Sequence, residues 1–168
     1  LEKVAVEPLS LKAIKEIVRR FRAMFGLQDV QCFPIVHFIE WCLPELEMDY
    51  EIVPVCEMKN AYGITHTGKG IMRIREDVYE RAIAGCPRDR FTLCHELGHF
   101  LLHTPDRVSF ARGEVPAYMD SEWQANTFAG ELMAPCEVIR GMTVEEIMEK
   151  CGMSFTAATI QYKKASKC

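Results

Sequence analysis

A chain of 168 residues, 49% hydrophobic and 26% charged, is long enough to bury a core and has the composition of an ordinary globular domain. Its net charge of −4 offers no global basic field, which argues against direct binding to nucleic acid or to an anionic membrane. No apolar run is long enough to span a bilayer, and the opening LEKVAVEPLSLKAIKE lacks the apolar centre of a secretory signal.

The cysteines, at 32, 42, 56, 86, 94, 136, 151 and 168, form no C-x-x-C pair, and several lie inside helix-like apolar patterns. Cysteine in such patterns behaves as a small hydrophobe. Reduced thiols and a cytoplasmic location are therefore expected.

Along the chain, Leu11, Ile14, Ile17, Val18, Phe21 and Phe25 recur at helical spacing, with Ser10 as an N-cap and Gly26 as a stop. The opposite face carries Lys12, Lys15, Arg19 and Arg22 and reads as solvated. FPIVHFIEWCL predicts a short second helix with Pro34 near its first turn. Three strands are expected over 50–55, 61–65 and 70–75, the last two joined by a hairpin turn in HTGKG. Pro54 puts the first of them at an edge or ends it there. Helices are expected over 77–84, 88–103, 119–133, 143–151 and 155–166. Strands followed by a run of helices make an α+β fold, a mainly helical domain with a small three-stranded sheet packed beside the helix that carries HELGH.

That helix holds the chemistry. RFTLCHELGHFLLH contains His95-Glu96-Leu97-Gly98-His99, the H-E-x-x-H pattern. Residues four apart share a helix face, so two imidazoles can converge on one ion at roughly 2.0–2.1 Å while the glutamate stands beside it as a general base. A chance match in a chain of this composition has odds on the order of 1–2%. Gly98 costs about 1 kcal/mol against alanine inside a helix, so a close approach of another element is expected there. His103 continues the series but lies about 12 Å along the axis from His95, too far to share an ion. It reads as a residue that supports a ligand or caps the helix.

A third ligand is sought in MDSEWQANTFAGELMAP, which offers Asp120, Glu122 and Glu131. On a helix Glu122, Ala125, Asn126 and Ala129 share a face lined with small residues, while Asp120 and Glu131 project the other way. Glu122 is either the ligand or an ordinary surface acid. Asn126, one turn on, is placed to hydrogen-bond a site residue.

The paired segments RDRFTLCHELGHFLLH and EWQANTFAGELMAP resemble the ImmA/IrrE family of HExxH zinc metallopeptidases, the likeness running from GITHTGKGIMRI to Pro135. The family pattern is RFT-x-x-HE-x-GH-x-x-LH followed by E-x-x-AN-x-FA. Cys94 stands where the family often has alanine, and Met133-Ala134-Pro135 departs slightly from its usual ending. The resemblance implies a gluzincin-like zinc endopeptidase with one zinc ion per chain, held by His95, His99 and Glu122, with Glu96 as the acid/base. His66, Tyr118 and His103 are candidates to stabilise the oxyanion. It also implies a protein substrate, a helix-turn-helix repressor of a mobile element or stress locus.

One metallopeptidase domain over 1–168 is expected, with N-terminal helices over 1–48, a sheet and zinc-binding core over 49–135 and a helix pair over 136–168. The rival reading starts from that pair. TVEEIMEKCGMSFTAATIQYKK has a capping box at Thr143 and Glu146, a stop at Gly152 and a cap at Ser154, and so resembles a helix-turn-helix. Thr156, Thr159, Gln161, Lys163 and Lys164 would then be available to DNA, making the chain a zinc-containing regulatory module without proteolysis. The segment PDRVSFARGEVPAY is a candidate to cover the site.

Overall fold

The computed structural model describes residues 3–104, 108–111 and 115–167. The segment considered above as a cover therefore lies partly outside the described residues. The elements, in order, are β1 (Lys3–Val6), α1 (Leu11–Met24), α2 (Ile35–Trp41), β2 (Asp49–Val53), β3 (Gly63–His66) and β4 (Ile71–Arg75). They continue with α3 (Glu76–Ile83), α4 (Pro87–Leu102), β5 (Val108–Ala111), α5 (Ser121–Met133), α6 (Cys136–Ile139), α7 (Val144–Cys151) and α8 (Phe155–Ala165). Short 3-10 turns cover Pro44–Leu46, Thr67–Lys69 and Ala117–Met119. The fold is α+β.

Local chemistry accounts for most boundaries. The Ser10, Thr143 and Ser154 side chains each accept from the backbone N–H three residues on, and Glu146 closes the capping box by accepting from Thr143 N. Gly152, at φ 65°, ends α7 in a left-handed turn. Pro87 opens α4, where its missing N–H costs nothing.

The three-stranded sheet has the order β2-β4-β3. β3 runs antiparallel to β4, with Gly63 opposite Ile74 and His66 opposite Ile71, while β2 runs parallel to β4. β2 stops at Val53, before Pro54, and lies at an edge, as a proline requires. Alternation along β4 buries Met72 and Ile74, which face the helices. A second, two-stranded sheet was not anticipated. It pairs β1 with β5 antiparallel, and only long-range pairing reveals strands this short.

The core lies between α1, α2, α4 and α5, where Ile14, Phe21, Phe38, Leu93, Phe128 and Leu132 are all buried. Arg22 corrects the sequence reading of α1. It turns inward and is 1% exposed, donating from Nη1 to the Leu132 carbonyl at 2.6 Å and from Nη2 to the Val30 carbonyl. Its guanidinium stacks 5.5 Å from the Phe33 ring centroid, and burial lowers its pKa. Helical periodicity cannot foresee this, because an arginine on the edge of the apolar stripe can turn either way.

The C-terminal helices also differ from the helix-turn-helix expectation. Gln161 is buried and donates from Nε2 to Glu131 Oε1 and the Ala134 carbonyl, while Lys164 donates to Gln161 Oε1. Two of the side chains that DNA contact would use are thus turned onto α5 and the turn that follows it.

Candidate metal centre

α4 and α5 pack side by side, and the approach is tight at Gly98. A Cβ there would stand 3.1 Å from Phe128 Cδ1 and 3.3 Å from the backbone of Ala125. The small face anticipated around Glu122 is the one that meets α4, with Ala125 and Ala129 fully buried. At the end of this seam three side chains converge. His95 Nε2 and His99 Nε2 lie 2.9 Å apart, and Glu122 Oε2 and Oε1 lie 3.3 and 3.2 Å from them.

These separations suit a metal ion. Four ligands at roughly 2.05 Å in a tetrahedron stand about 3.3 Å from one another, close to the 2.9–3.3 Å between the two imidazole nitrogens and the carboxylate oxygen that faces each. Two nitrogens, one carboxylate oxygen and an open side form the donor set of a catalytic zinc site. The other two acids considered from sequence serve elsewhere. Asp120 caps α5, accepting from Glu122 N and Trp123 N. Glu131 is buried against Gln161 and Lys164, and burial raises its pKa.

The convergent groups shift one another. Burial works to lower the His95 pKa, but its hydrogen bond to Glu122 and the charges of Glu96 and Glu122 outweigh this, and the net shift is upward. Hydrogen bonds to His95 and His99 hold the Glu122 carboxyl well below the ordinary carboxylate range. Each imidazole is also held from behind. His95 Nδ1 lies 2.9 Å from Asn126 Oδ1, and His99 Nδ1 lies 2.9 Å from His103 Nδ1. His103 is buried, its backbone N–H caps α4 at the His99 carbonyl, and burial lowers its pKa to about 4, so its ring is neutral near pH 7.

Glu96 is 6% exposed and lies beneath β3, beside the three convergent side chains. The Thr65 hydroxyl donates to Glu96 Oε2 at 2.7 Å. Gly63 makes room for the same side chain, since a Cβ there would stand 2.7 Å from Glu96 Cγ. Sequence reasoning assigned neither residue a role. The one signal was a glycine inside a strand pattern, which marks a close approach without naming what approaches.

The site opens into a cleft of about 460 Å³ walled by Tyr62, Thr65 and Phe91. Phe91 and Asn126 also line a second, more apolar cleft of about 370 Å³ between α5 and α8. Of the residues proposed from sequence, His66 is exposed at the end of β3, and Tyr118 is exposed in the turn before α5. Neither belongs to the wall of the first cleft. The tyrosine that does is Tyr62, whose ring lies between the guanidiniums of Arg75 and Arg88, at 4.6 and 4.9 Å.

None of the described cysteines Cys32, Cys42, Cys56, Cys86, Cys94 and Cys151 is in a disulfide. Cys94, which precedes His95, is fully buried with its thiol pKa pushed up to about 12, so it is no nucleophile. Among the described residues no helix is long and apolar enough to cross a membrane.

Comparison with known proteins agrees with this geometry. No curated protein matches the chain. A solved structure, a Mycobacterium tuberculosis transcriptional regulator, shares the fold with a TM-score of 0.54 at 12% identity, over 86% of this chain and 45% of that one. The present chain thus spans less than half of that protein's length. The IrrE N-terminal-like domain matches residues 69–161, which carry all three convergent side chains and Glu96. With more than half of the sequence covered by that match, the chain belongs to the IrrE N-terminal-like domain family, of the ImmA/IrrE zinc peptidases.

Proposed function

We propose that the protein is a zinc-dependent endopeptidase that hydrolyses a peptide bond in a regulatory protein, a helix-turn-helix repressor being the substrate the family resemblance implies. The observation that carries the reading is the meeting of His95, His99 and Glu122 at one point with Glu96 buried and hydrogen-bonded beside it. A site that served structure alone would need no such base and would close its shell with a fourth protein ligand.

His95, His99 and Glu122 would hold the zinc, which when bound lowers the pKa of a water and polarises the scissile carbonyl. Glu96 takes the proton of the attacking water and delivers it to the leaving amine nitrogen. Thr65 keeps the Glu96 carboxylate turned toward the cleft, and Asn126 and His103 keep the two imidazoles turned toward the ion. A second cleft on the other side of Phe91 and Asn126, toward α8, supports an extended polypeptide as substrate. Residues 1–48 and 136–168 act in this reading as braces of the 49–135 core within one domain. A likeness in fold to part of a transcriptional regulator supports a partner in gene control.

Zinc content and cleavage test the reading together. The purified chain should carry about one zinc, Glu122→Ala should lose it, and Glu96→Gln should keep it. Only the parent should cleave a helix-turn-helix repressor offered as substrate. A parent that takes up no zinc on reconstitution sinks the proposal.

A further inference from the structure

We propose that the protein grips its substrate beyond the scissile bond in a groove of two parts, one apolar and one cationic. An apolar side chain of the polypeptide enters the cleft between α5 and α8, and acidic side chains farther along the same segment lie against Lys163 and Lys167. The occupant is thus a polypeptide segment with an apolar residue flanked on one side by acidic ones. The proposal rests on the peptidase reading above and adds to it the chemistry of the substrate.

The apolar part adjoins the metal site. It is the cleft of about 370 Å³ that shares Phe91 and Asn126 with the catalytic cleft, on their other side. The wall between the two therefore includes Asn126, whose Oδ1 meets His95 Nδ1. Leu11 of α1, Trp123 of α5, and Ala157 and Ile160 of α8 give it a mostly hydrocarbon lining. Ile160 is 51% exposed at its edge. A single exposed isoleucine is ordinary, but one set in a concavity beside Leu11 gains when another apolar side chain covers it.

The cationic part begins where the apolar one ends. Leu11, Ile160 and Lys164 also line a groove of about 410 Å³ whose other walls are Lys15, Lys163 and Lys167. No acidic residue lines it, in a chain whose net charge is −4. Along α8 and just past its end, Ala157, Ile160, Lys164 and Lys167 recur three or four apart, so one stripe passes from apolar to cationic. Lysines at a helix C-terminus also suit the helix dipole, but Lys15 comes from α1, so two helices gather these charges. Lys15 and Lys164 are engaged already, at 3.0 Å from Cys136 Sγ and 2.9 Å from Gln161 Oε1. Lys163 and Lys167 are exposed and form no ion pair among the described residues, which leaves their charges to a carboxylate from outside.

The order of the parts favours a polypeptide over a nucleic acid. The catalytic cleft, the apolar cleft and the lysines each share lining residues with the next, so a segment leaving the metal site meets hydrocarbon before charge. A phosphate backbone would leave Leu11 and Ile160 uncovered. An extended polypeptide advances about 3.3 Å per residue and can offer an apolar side chain and then acidic ones.

Fluorescence anisotropy tests the groove on the Glu96→Gln chain, which binds a probe without consuming it. The probes are short labelled peptides with one leucine beside a run of glutamates or of glutamines, made in both chain directions, and a glutamate peptide with serine in place of the leucine. The better glutamate peptide should bind about tenfold more tightly than its glutamine counterpart at low ionic strength, and added salt should shrink the difference. The serine peptide should bind about tenfold more weakly than the leucine one. Lys163→Gln combined with Lys167→Gln should erase the preference for acid and leave zinc content unchanged. Equal binding of glutamate and glutamine peptides, or no binding of any, overturns the proposal, as does a preference that survives in the folded double variant. A DNA duplex held more tightly than the glutamate peptide, and released by the same substitutions, overturns it too and assigns the groove to nucleic acid. Should the double variant not fold, the comparison among peptides decides. A chain that takes up no zinc removes the peptidase reading, while the peptides still judge the groove.

Discussion

The Thr65 hydroxyl on β3 donates to Glu96 Oε2 on α4 at 2.7 Å, joining the small sheet to the carboxylate on which the proposed chemistry depends. A carboxylate that must reach a water is useful only in a narrow set of orientations, and a displacement of about 1 Å can cost on the order of a hundredfold in rate. Thr65→Val keeps the shape and removes the donor. Peptide hydrolysis should fall by about 10- to 100-fold with zinc content unchanged, and Thr65→Ser should retain most of the rate. If the valine variant cleaves as fast as the parent, the packing of Gly63 alone holds Glu96 in place.

Gly98→Ala sets two effects of opposite sign against each other. Helix propensity favours alanine by about 1 kcal/mol. The new Cβ would meet Phe128 Cδ1 at 3.1 Å and the Ala125 backbone at 3.3 Å, and a helix backbone yields less readily than a side-chain tip. Overpacking of this kind costs about 1–3 kcal/mol, so the net should be destabilising by about 1 kcal/mol in urea unfolding. Zinc affinity should fall as well, since α4 carries the histidines and α5 carries Glu122. A stabilised variant with parental zinc affinity would contradict the close seam.

Arg22 bonds two carbonyls from within the core, one of them in the last turn of α5. Arg22→Ala would leave both unpaired beside a cavity and should cost about 3–4 kcal/mol. Arg22→Met fills most of the space and removes a buried charge, and should cost about 1–2 kcal/mol. Chemical denaturation separates the two, and equal losses would mean that volume contributes nothing at this position.

Asp89 carries the pH dependence. It is 3% exposed at the start of α4, and Arg81 of α3 donates to its two oxygens at 2.8 and 3.1 Å. Burial pushes its pKa up, but the Arg81 fork outweighs burial and the net shift is downward. A carboxyl lowered on folding stabilises at pH above its unfolded value, about 3.9, and loses that contribution as the pH falls through its folded value. Asp89→Asn should therefore cost about 2 kcal/mol at pH 7, discounted for the half-exposed Arg81, and progressively less below about pH 4. A difference between parent and variant that is flat from neutral pH down through that range would show that the ion pair contributes nothing.

Much of the architecture follows from short-range rules. The caps at Ser10, Thr143 and Ser154 and the stop at Gly152 appear where expected, because each depends on atoms within one helical turn. His95 and His99 face one way because a helix returns to the same side every four residues, whatever surrounds it. The paired motifs likewise carried the family resemblance in full.

Only the tertiary structure brought Glu122, Thr65 and Gln124 to that helix. Their partners lie 21 to 31 residues away in the chain, or farther, and no local periodicity encodes such meetings. The inward turn of Arg22, the β1–β5 pair and the parallel pairing of β2 with β4 belong to the same class. Each is selected by how buried polar groups find partners once the helices have packed, a balance of long-range contacts that a linear reading does not contain.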